Sequence, residues 1–358
     1  MGSSSLSTFI DDLPKGSSDH YALGFQPPSL RSEDEIMDHW FFDDQPLVSI
    51  LCATYQHRLF IADAIRGVLG QCTNFGYRLV IRDDASTDGT ADIVRAFALR
   101  YPRLIVAVCE PRNTFSQGVK PSAAMAQHLT GDFVATCEGD DFWISPHKLQ
   151  RQIDLLTSNP TIQIACCRSY VIRNGDHTPY SIVPDILPTE LFTPDAIMLH
   201  GQWPKTLTRV SRRSWYERYL REVPSEAQCD STFVRYALCT APQGVNPIGL
   251  VDEAMAVYHV HDGGVWSGST MSEMARQVLR YARFQLTLCD NPAWQKGLYS
   301  EYYKSCSVII RDCSVSWRER LDAISIAMLT INILRVPSFL KSLVYMFFCK
   351  IRLLRNFS

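Results

Sequence analysis

An apolar run that ends in an acidic tetrapeptide occupies residues 133–143, FVATCEGDDFW. The run is typical of a buried strand, and the tetrapeptide Glu138-Gly139-Asp140-Asp141 places three carboxylates directly after it. Like charges this close repel one another unless a positive charge lies between them. A divalent cation that carries a phosphorylated substrate would supply that charge, because hard cations bind carboxylate oxygens and bridge to phosphates. The alternative is a solvated acidic turn, which is the commoner meaning of such a cluster when it stands alone.

The sequence upstream alternates between strand and helix patterns. Largely apolar runs of strand length are followed by segments in which apolar residues recur at helical spacing. The predicted strands cover 47–54, 77–81, 104–108 and 133–137, and the predicted helices cover 59–69, 90–101 and 122–129. This alternation predicts an α/β fold with a mixed, mostly parallel sheet flanked by helices.

Polar clusters follow three of these strands. They are Thr54-Tyr55, Asp83-Asp84 and Glu138–Asp141. Because ligands of open α/β sheets bind beyond the carboxyl ends of the strands, three clusters on one rim predict a binding site. The segment 83–90 also suits a capped turn, but one of its carboxylates could accept a hydrogen bond from the imide N–H of a pyrimidine base. The sequence has no G-x-G-x-x-G motif and no P-loop lysine, which disfavours ordinary dinucleotide and P-loop binding.

The composition is that of a globular protein, with 358 residues of which 46% are hydrophobic and 20% are charged. A net charge of −2 gives no support for nucleic-acid binding. The 12 cysteines are scattered without a C-x-x-C pair, which indicates neither a zinc framework nor a disulfide scaffold. Together with the lack of a secretory signal pattern, this predicts a cytoplasmic location with reduced cysteines.

Three regions are predicted along the chain. Residues 1–45 form an irregular lead-in with a short helix near 33–40, residues 46–270 form the α/β domain, and residues 271–358 form a helical region. After Asp322 there is no acidic residue, and basic residues lie among apolar stretches that are shorter than the roughly 20 residues of a membrane span. This tail predicts a helix that lies on an anionic membrane surface, with a docked helix or a dimer interface as the alternative.

Three parts of the sequence together carry a resemblance to a known family. They are 48–55 with 83–90, the acidic motif 137–143 followed by Pro146-His147-Lys148-Leu149, and the later segment 258–267, YHVHDGGVWS. Over about residues 46–268 the chain resembles the family 2 glycosyltransferases of the GT-A fold, in the branch of bacterial surface polysaccharides. The resemblance implies inverting transfer of a sugar from a nucleotide donor, with a UDP-sugar favoured, and Mn²⁺ or Mg²⁺ as cofactor.

The resemblance also implies how the donor is bound. The implied contacts to the base and ribose are Thr54, Tyr55 and Asp83. Glu138 stands where the family more often has Asp, and its implied role is to bind ribose or to reach the metal through water. Asp140 is the implied direct ligand of the cation on the donor diphosphate, and Asp141 supports it.

Inversion at the anomeric carbon requires a base that takes the proton of the acceptor hydroxyl. In the family this base is an Asp ahead of a helix, and the matching segment here is 229–233, which makes Asp230 the predicted base. Cys229 stands where the family has Gly. An Asp at such a place is also a common helix cap, and the rival bases are Glu226, Glu217 and Glu222.

Two histidines lie near the end of the resemblance. His259 and His261 are two residues apart, so on a strand they face the same side. His261 leads into small residues that allow close backbone approach to a diphosphate, and the resemblance implies that it contacts the diphosphate or the metal. Trp266 is an implied packing surface for donor or acceptor. The aromatic residues that form either a sugar-stacking wall or, more commonly, plain core are Trp203, Trp215, Tyr216 and Tyr219.

The predicted function is therefore metal-dependent transfer of a sugar to a glycan hydroxyl. Family precedent suggests a lipid-linked O-antigen or capsule intermediate at the cytoplasmic face of the inner membrane as acceptor, and a homo-oligomer is compatible with the sequence. A nucleotidyltransferase stays open, although such enzymes usually have a Gly-rich basic loop where this chain has Thr54–Arg58. A non-catalytic module that binds a glycan or a partner on the same fold also stays open.

Overall fold

A computed structural model describes residues 10, 24–41, 47–173, 179, 181–185, 192–200, 203–264 and 267–334. Its strands are β1 Val48–Thr54, β2 Tyr77–Asp83, β3 Ile105–Cys109, β4 Phe133–Thr136, β5 Phe142–Trp143, β6 Ile164–Arg173, β7 Ser181–Val183, β8 Val210–Arg212 and β9 Ile248–Val260. Its α-helices are α1 Glu33–Met37, α2 Ile61–Leu69, α3 Thr90–Arg100, α4 Pro121–Met125, α5 Lys148–Ser158, α6 Pro194–His200, α7 Arg213–Glu222, α8 Asp230–Thr240, α9 Met271–Leu288, α10 Pro292–Arg311 and α11 Trp317–Leu334.

The nine strands form one mixed sheet in the order β3-β2-β1-β4-β8-β6-β9-β5, with β7 beside β6. The half from β3 to β4 is parallel. Beyond β4, the pair of β6 with β9 is parallel and the other pairs are antiparallel. The predicted α/β fold with a mixed sheet is confirmed, but parallel pairing dominates only its first half, because the short strands β5, β7 and β8 join in antiparallel orientation.

The parallel half of the sheet is buried between helices. All but one residue of β1 are buried, which explains its nearly continuous apolar sequence. Helices α2 and α3 supply apolar side chains to the same core, which includes Ile50, Ile65, Ile81, Phe97 and Trp143. This core fixes the carboxyl ends of β1, β2 and β4 relative to one another.

Strand β5, which directly follows the acidic tetrapeptide, is anchored by Trp143. The indole N–H of this buried side chain donates to the carbonyl of Leu207 at 2.9 Å. The ammonium of the buried Lys148 lies 4.0 Å from the centre of the Trp143 ring and donates to Gln152 at 2.8 Å. Burial lowers the pKa of Lys148, and the ring and the amide provide the polar contacts that an amine needs in the core.

The chain divides into two compact units. The first comprises 1–197, 202–225 and 241–260, and the second comprises 198–201, 226–240 and 261–358. In the second unit α9, α10 and α11 are built around apolar side chains that include Ala282, Tyr302, Ile309 and Ala323, so the predicted helical C-terminal region is confirmed. Among the described helices, none combines the length and the apolar character needed to cross a bilayer. The predicted membrane-surface segment after residue 334 lies outside the described residues.

Helix α2 packs so closely against β5 that residue 67 must be glycine. A Cβ atom at Gly67 would lie 2.8 Å from both the backbone N and the backbone O of Trp143. We expect Gly67→Ala to lower the free energy of unfolding by about 1–3 kcal/mol, because neither backbone can move without shifting β5. Thermal or urea denaturation measures this loss.

The matched control is Gly297→Ala in α10, where an added Cβ meets nothing nearer than 3.9 Å. Alanine is the better helix former, so this variant should keep its stability or gain up to about 1 kcal/mol. Equal stabilities for the two variants would show that the contact between α2 and β5 is looser than described.

Candidate active site

The carboxyl ends of β1, β2 and β4 meet at one rim of the sheet. Thr54 lies opposite Asp83 in the parallel register. The backbone N–H of Asp84 donates to the carbonyl of Thr54 at 3.0 Å, and that of Gly139 donates to the carbonyl of Ala53 at 2.9 Å. The three polar clusters that the sequence places at strand ends are therefore neighbours.

Gly139 allows the acidic tetrapeptide to lie close to the loop after β1. A Cβ atom there would lie 2.6 Å from Thr54 Oγ1 and 3.1 Å from His57 Nδ1. Any side chain at this position would thus push the acidic tetrapeptide away from the loop after β1. The Thr54 hydroxyl is buried and has no hydrogen-bond partner within the described ranges, so its hydrogen-bonding capacity is unused there.

The three carboxylates of the tetrapeptide lie close together. Asp141 is buried, and its Oδ1 accepts a hydrogen bond from the backbone N–H of His259 at 2.9 Å. Burial raises the pKa of Asp141, and the nearby charges of Asp140 and Glu138 raise it further. Asp141 Oδ2 is buried and makes no hydrogen bond to the described part of the chain. A positive charge bound here would stabilise the ionised cluster.

His57 lies beside the tetrapeptide and was not singled out by the sequence analysis. Its Nε2 atom is 3.7 Å from Asp140 Oδ2. Its carbonyl accepts hydrogen bonds from the backbone N–H groups of Phe60 and Ile61 at 2.9 Å each, which fixes it at the start of α2. An imidazole nitrogen and a carboxylate oxygen at this separation can share one divalent cation. The one feature of the sequence that could have pointed to His57 is its position, since it lies in the loop after β1, on the predicted rim.

The two adjacent aspartates at the end of β2 have different partners. Asp83 accepts hydrogen bonds from the backbone N–H of Ser86 at 3.0 Å and from its hydroxyl at 2.5 Å. Asp84 accepts instead from the backbone N–H groups of 114–115 and from Arg82, the shortest of these bonds being 2.9 Å. Asp84 therefore ties the loop after β3 to the rim. Each oxygen of Asp83 has a second acceptor position, which suits a ligand N–H or hydroxyl.

The remaining predicted rim residues differ in accessibility. Tyr55 directly follows β1 and is 45% exposed, whereas Glu138 is half-buried.

The aromatic residues on α7 are buried, and Trp215 stacks on Tyr219 with ring centres 6.0 Å apart. The interpretation as core is confirmed for Trp215, Tyr216 and Tyr219, whereas Trp203 is half-buried.

Asp230 is the first residue of α8, in the second unit, and it is exposed. The rival Glu226 lies in the short turn before α8 and is exposed as well. Glu217 and Glu222 lie on α7 in the first unit, and Glu217 is 3.6 Å from Arg213 across one helical turn. Asp230 and Glu226 thus share one terminus of α8, and the two α7 glutamates do not.

A buried glutamine on α9 holds the first turn of α8. The side-chain amide of Gln285 donates to the hydroxyls of Ser231 and Thr232 at 3.1 and 2.7 Å. Its carbonyl oxygen accepts hydrogen bonds from Arg235 and Tyr302. All hydrogen-bonding positions of this amide are therefore used inside the second unit.

His261 directly follows β9 and is buried. Its carbonyl accepts hydrogen bonds from the backbone N–H of Gly264 at 3.0 Å and from the hydroxyl of Ser267, which closes a tight turn. The backbone of His259, two residues earlier, is the one that contacts Asp141. Trp266 lies outside the described residues.

Comparison with known proteins places this site in a family. Residues 49–223 match the family described as Glycosyl transferase family 2. An uncharacterized protein of Mycobacterium tuberculosis is 28% identical over 222 residues, which cover 61% of this chain and 60% of that protein. The Escherichia coli protein named UDP-Glc:alpha-D-GlcNAc-diphosphoundecaprenol beta-1,3-glucosyltransferase WfgD is 31% identical over 117 residues, which cover 32% of this chain and 43% of that protein. The chain thus spans less than two thirds of the length of both relatives.

A solved structure shares the fold. The crystal structure of S. aureus TarS 1-349 superposes with a TM-score of 0.54 at 16% sequence identity, covering 79% of this chain and 80% of that one. The mixed sheet and the likeness to this structure show a GT-A-like fold, and the acidic rim lies within the segment that matches the family. The matched segment, residues 49–223, is a family 2 glycosyltransferase domain, and it ends before α8. This match favours a transferase over the nucleotidyltransferase and binding-module alternatives.

Asp84 should stabilise the fold in a pH-dependent way. Burial opposes its ionisation, but the hydrogen bonds from Phe115 and Thr114 and the charge of Arg82 outweigh burial and lower its pKa. The stabilisation is therefore present above the unfolded pKa of about 3.9 and is lost as the pH falls through the lower folded value. We expect Asp84→Asn to lower the free energy of unfolding by about 1–3 kcal/mol at pH 7, with a smaller difference from wild type at pH 3.

Denaturant titrations at the two pH values measure this effect. Asp92→Asn is the control, because the Asp92 side chain is 76% exposed in its pair with Arg95 and should contribute under about 0.5 kcal/mol. A loss in Asp84→Asn that is equally large at both pH values would argue against the ionised carboxylate as its source.

Proposed function

We propose that this enzyme transfers a sugar from a UDP-sugar to a hydroxyl of a glycan, with inversion and with a divalent cation on the donor diphosphate. The observation that carries the proposal is the rim on which Thr54, Asp83 and the acidic tetrapeptide are neighbours beside His57. The site thus combines acceptors for a base and ribose with hard ligands for a cation, which are the two needs of a nucleotide diphosphate.

The base and ribose would be bound at the ends of β1 and β2. Asp83 has carboxylate positions left for an imide N–H, and this group distinguishes uracil from bases that lack one. The accessible ring of Tyr55 offers a stacking surface, and the buried hydroxyl of Thr54 can bond a base or ribose atom. Glu138, which is half-buried beside them, would bind ribose or a metal-bound water.

The residues present fit a divalent cation. Asp140 and His57 would hold it, Asp141 would support it from its buried position, and His261 is a further candidate because it directly follows β9. The buried Asp141 oxygen without a partner and the raised pKa of that carboxyl both indicate a place that favours positive charge. A bound Mn²⁺ or Mg²⁺ would neutralise the charge that builds up on the departing nucleoside diphosphate.

Asp230 would act as the base that removes the proton of the acceptor hydroxyl. Its carboxylate is exposed, and the contacts of Ser231 and Thr232 with Gln285 fix the helical turn that carries it. A carboxylate on a fixed helix terminus can keep a constant position from one turnover to the next.

The acceptor would be a lipid-linked glycan intermediate of surface-polysaccharide synthesis. The name of the E. coli relative gives a diphosphoundecaprenol-linked acceptor and a UDP-sugar donor. We accordingly propose that the enzyme acts at the cytoplasmic face of the membrane, where such intermediates would meet nucleotide sugars.

The proposal is tested first by a thermal-shift screen of UDP-, GDP-, CMP- and dTDP-sugars, each with and without Mn²⁺. A ligand that binds only the folded state raises the melting temperature, so selective stabilisation by UDP-sugars with Mn²⁺ is the expected result. Stabilisation by another nucleotide alone would refute the uridine donor, and the same response without Mn²⁺ would refute the metal role.

The cation ligands are tested by substitution. Asp140→Ala should abolish transfer and weaken Mn²⁺ binding, and His57→Ala should weaken Mn²⁺ binding by about tenfold or more, because each removes one ligand. Loss of the signal of free Mn²⁺ in electron paramagnetic resonance measures binding directly. His147→Ala is the control, since His147 is an exposed histidine at the start of α5. Unchanged Mn²⁺ affinity in Asp140→Ala would remove this residue from the metal site.

The base is tested by separating binding from transfer. Asp230→Asn should bind the donor as wild type does and lower the rate of transfer by about 10²–10⁴-fold, because only proton removal is lost. Isothermal titration with UDP and a steady-state assay of UDP release measure the two effects. Glu226→Gln is the matched control on the same terminus of α8. If Glu226→Gln lowered the rate of transfer and Asp230→Asn did not, Glu226 would be the base and Asp230 would not.

A further inference from the structure

The loops after β1 and β2 are joined by six hydrogen bonds from two residues. Four involve Gln56, whose backbone N–H donates to Ser86 Oγ at 2.8 Å and whose amide NH₂ donates to Thr87 Oγ1 at 3.0 Å. The amide oxygen of Gln56 accepts from the backbone N–H groups of Thr87 and Asp88 at 3.0 and 3.2 Å. Arg58 adds its backbone N–H and its guanidinium, both bonded to Asp88. We call this set the Gln56 clamp.

The clamp is connected to the carboxylate of Asp83 through Ser86. Ser86 Oγ accepts from Gln56 and donates to Asp83 Oδ1, while the Ser86 backbone N–H donates to Asp83 Oδ2. Both oxygens of Asp83 are therefore oriented by Ser86, and Ser86 is oriented by Gln56. The direction of the hydroxyl follows from chemistry, because an ionised carboxylate can only accept.

Backbone strain is found in the same two loops. Among the described residues, the non-glycine residues with positive φ are Gln56 at 57° and Ala85 at 64°. Such a conformation costs an L-residue about 1–2 kcal/mol, so it persists where surrounding contacts impose it. The clamp supplies such contacts, since it bonds Gln56 itself and the three residues that directly follow Ala85.

We propose that Gln56 is a positioning residue for the donor nucleotide, which holds the 85–89 loop so that Asp83 is oriented before the nucleotide binds. The inference rests on the proposed function, because it takes Asp83 as the contact to the base. It adds a residue that acts on Asp83 through residues 86–88 of the loop. Removing the Gln56 side chain leaves the loop in its competent arrangement for only part of the time, and the nucleotide affinity falls by that fraction.

The test compares Gln56→Gly with Gln56→Ala, using UDP as the probe in isothermal titration calorimetry. Both variants lose the three side-chain bonds to Thr87 and Asp88 and keep the backbone bond to Ser86, but glycine adopts positive φ without strain and alanine does not. We expect UDP to bind about tenfold more weakly to both variants. The melting temperature should fall in Gln56→Ala and be retained in Gln56→Gly, so the loss of affinity would not follow the loss of stability.

Mn²⁺ binding in the absence of nucleotide is the second readout. His57 is the adjacent residue, but its own backbone bonds to Phe60 and Ile61 hold it in place. Mn²⁺ affinity should therefore be unchanged in both variants. Gln117→Ala is the matched control, because among the described residues the Gln117 side chain bonds within the loop after β3 alone, to Asn113 at 2.9 Å, and its removal should leave UDP affinity unchanged.

Wild-type UDP affinity in Gln56→Gly would overturn the inference and leave the proposed function intact. A parallel loss of UDP and Mn²⁺ affinity would also overturn it, since that pattern means general disruption of the rim. Failure of the wild-type enzyme to bind UDP would be a different result, because it removes the proposed donor and the inference with it.

Discussion

Electrostatic repulsion among Glu138, Asp140 and Asp141 is the constraint on which the rim depends. The backbone holds these carboxylates together from two sides, through the bond of Gly139 to β1 and the bond of Asp141 to β9. The strand that follows is locked by a buried tryptophan, so the cluster cannot relax by moving apart. A cation would stabilise like charges kept together in this way, which is the physical basis of the proposed metal site.

The two units use different kinds of hydrogen bond to orient their polar residues. In the first unit, polar contacts at the rim are made largely through backbone groups and short side chains, as between Asp83 and Ser86 or between Asp84 and residues 114–115. In the second unit, the first turn of α8 is fixed by one long buried side chain, Gln285. The proposed donor contacts and the proposed base are thus each oriented by hydrogen bonds within their own unit.

Much of the fold could be predicted from sequence because β1, β2 and β4 are buried apolar runs, and the acidic tetrapeptide follows one of them directly. The antiparallel half was less visible, because β5, β7 and β8 have only two or three residues each and show no usable periodicity. In the site, Asp83 and Asp84 are adjacent and alike in sequence, and only their partners separate them. His57 and Gln56 were missed because their roles arise from contacts with loops about 30 or more residues away.

The complete hydrogen bonding of Gln285 also determines helix register. A shift of α9 by one residue would turn its side chains by about 100°, so that Phe284 or Leu286 would replace the amide opposite Ser231 and Thr232. Four polar groups, three of them buried, would then lose their hydrogen bond to this amide at once, which no apolar repacking could restore. A single amide thus selects one alignment of α8, α9 and α10 out of several that apolar packing alone would tolerate.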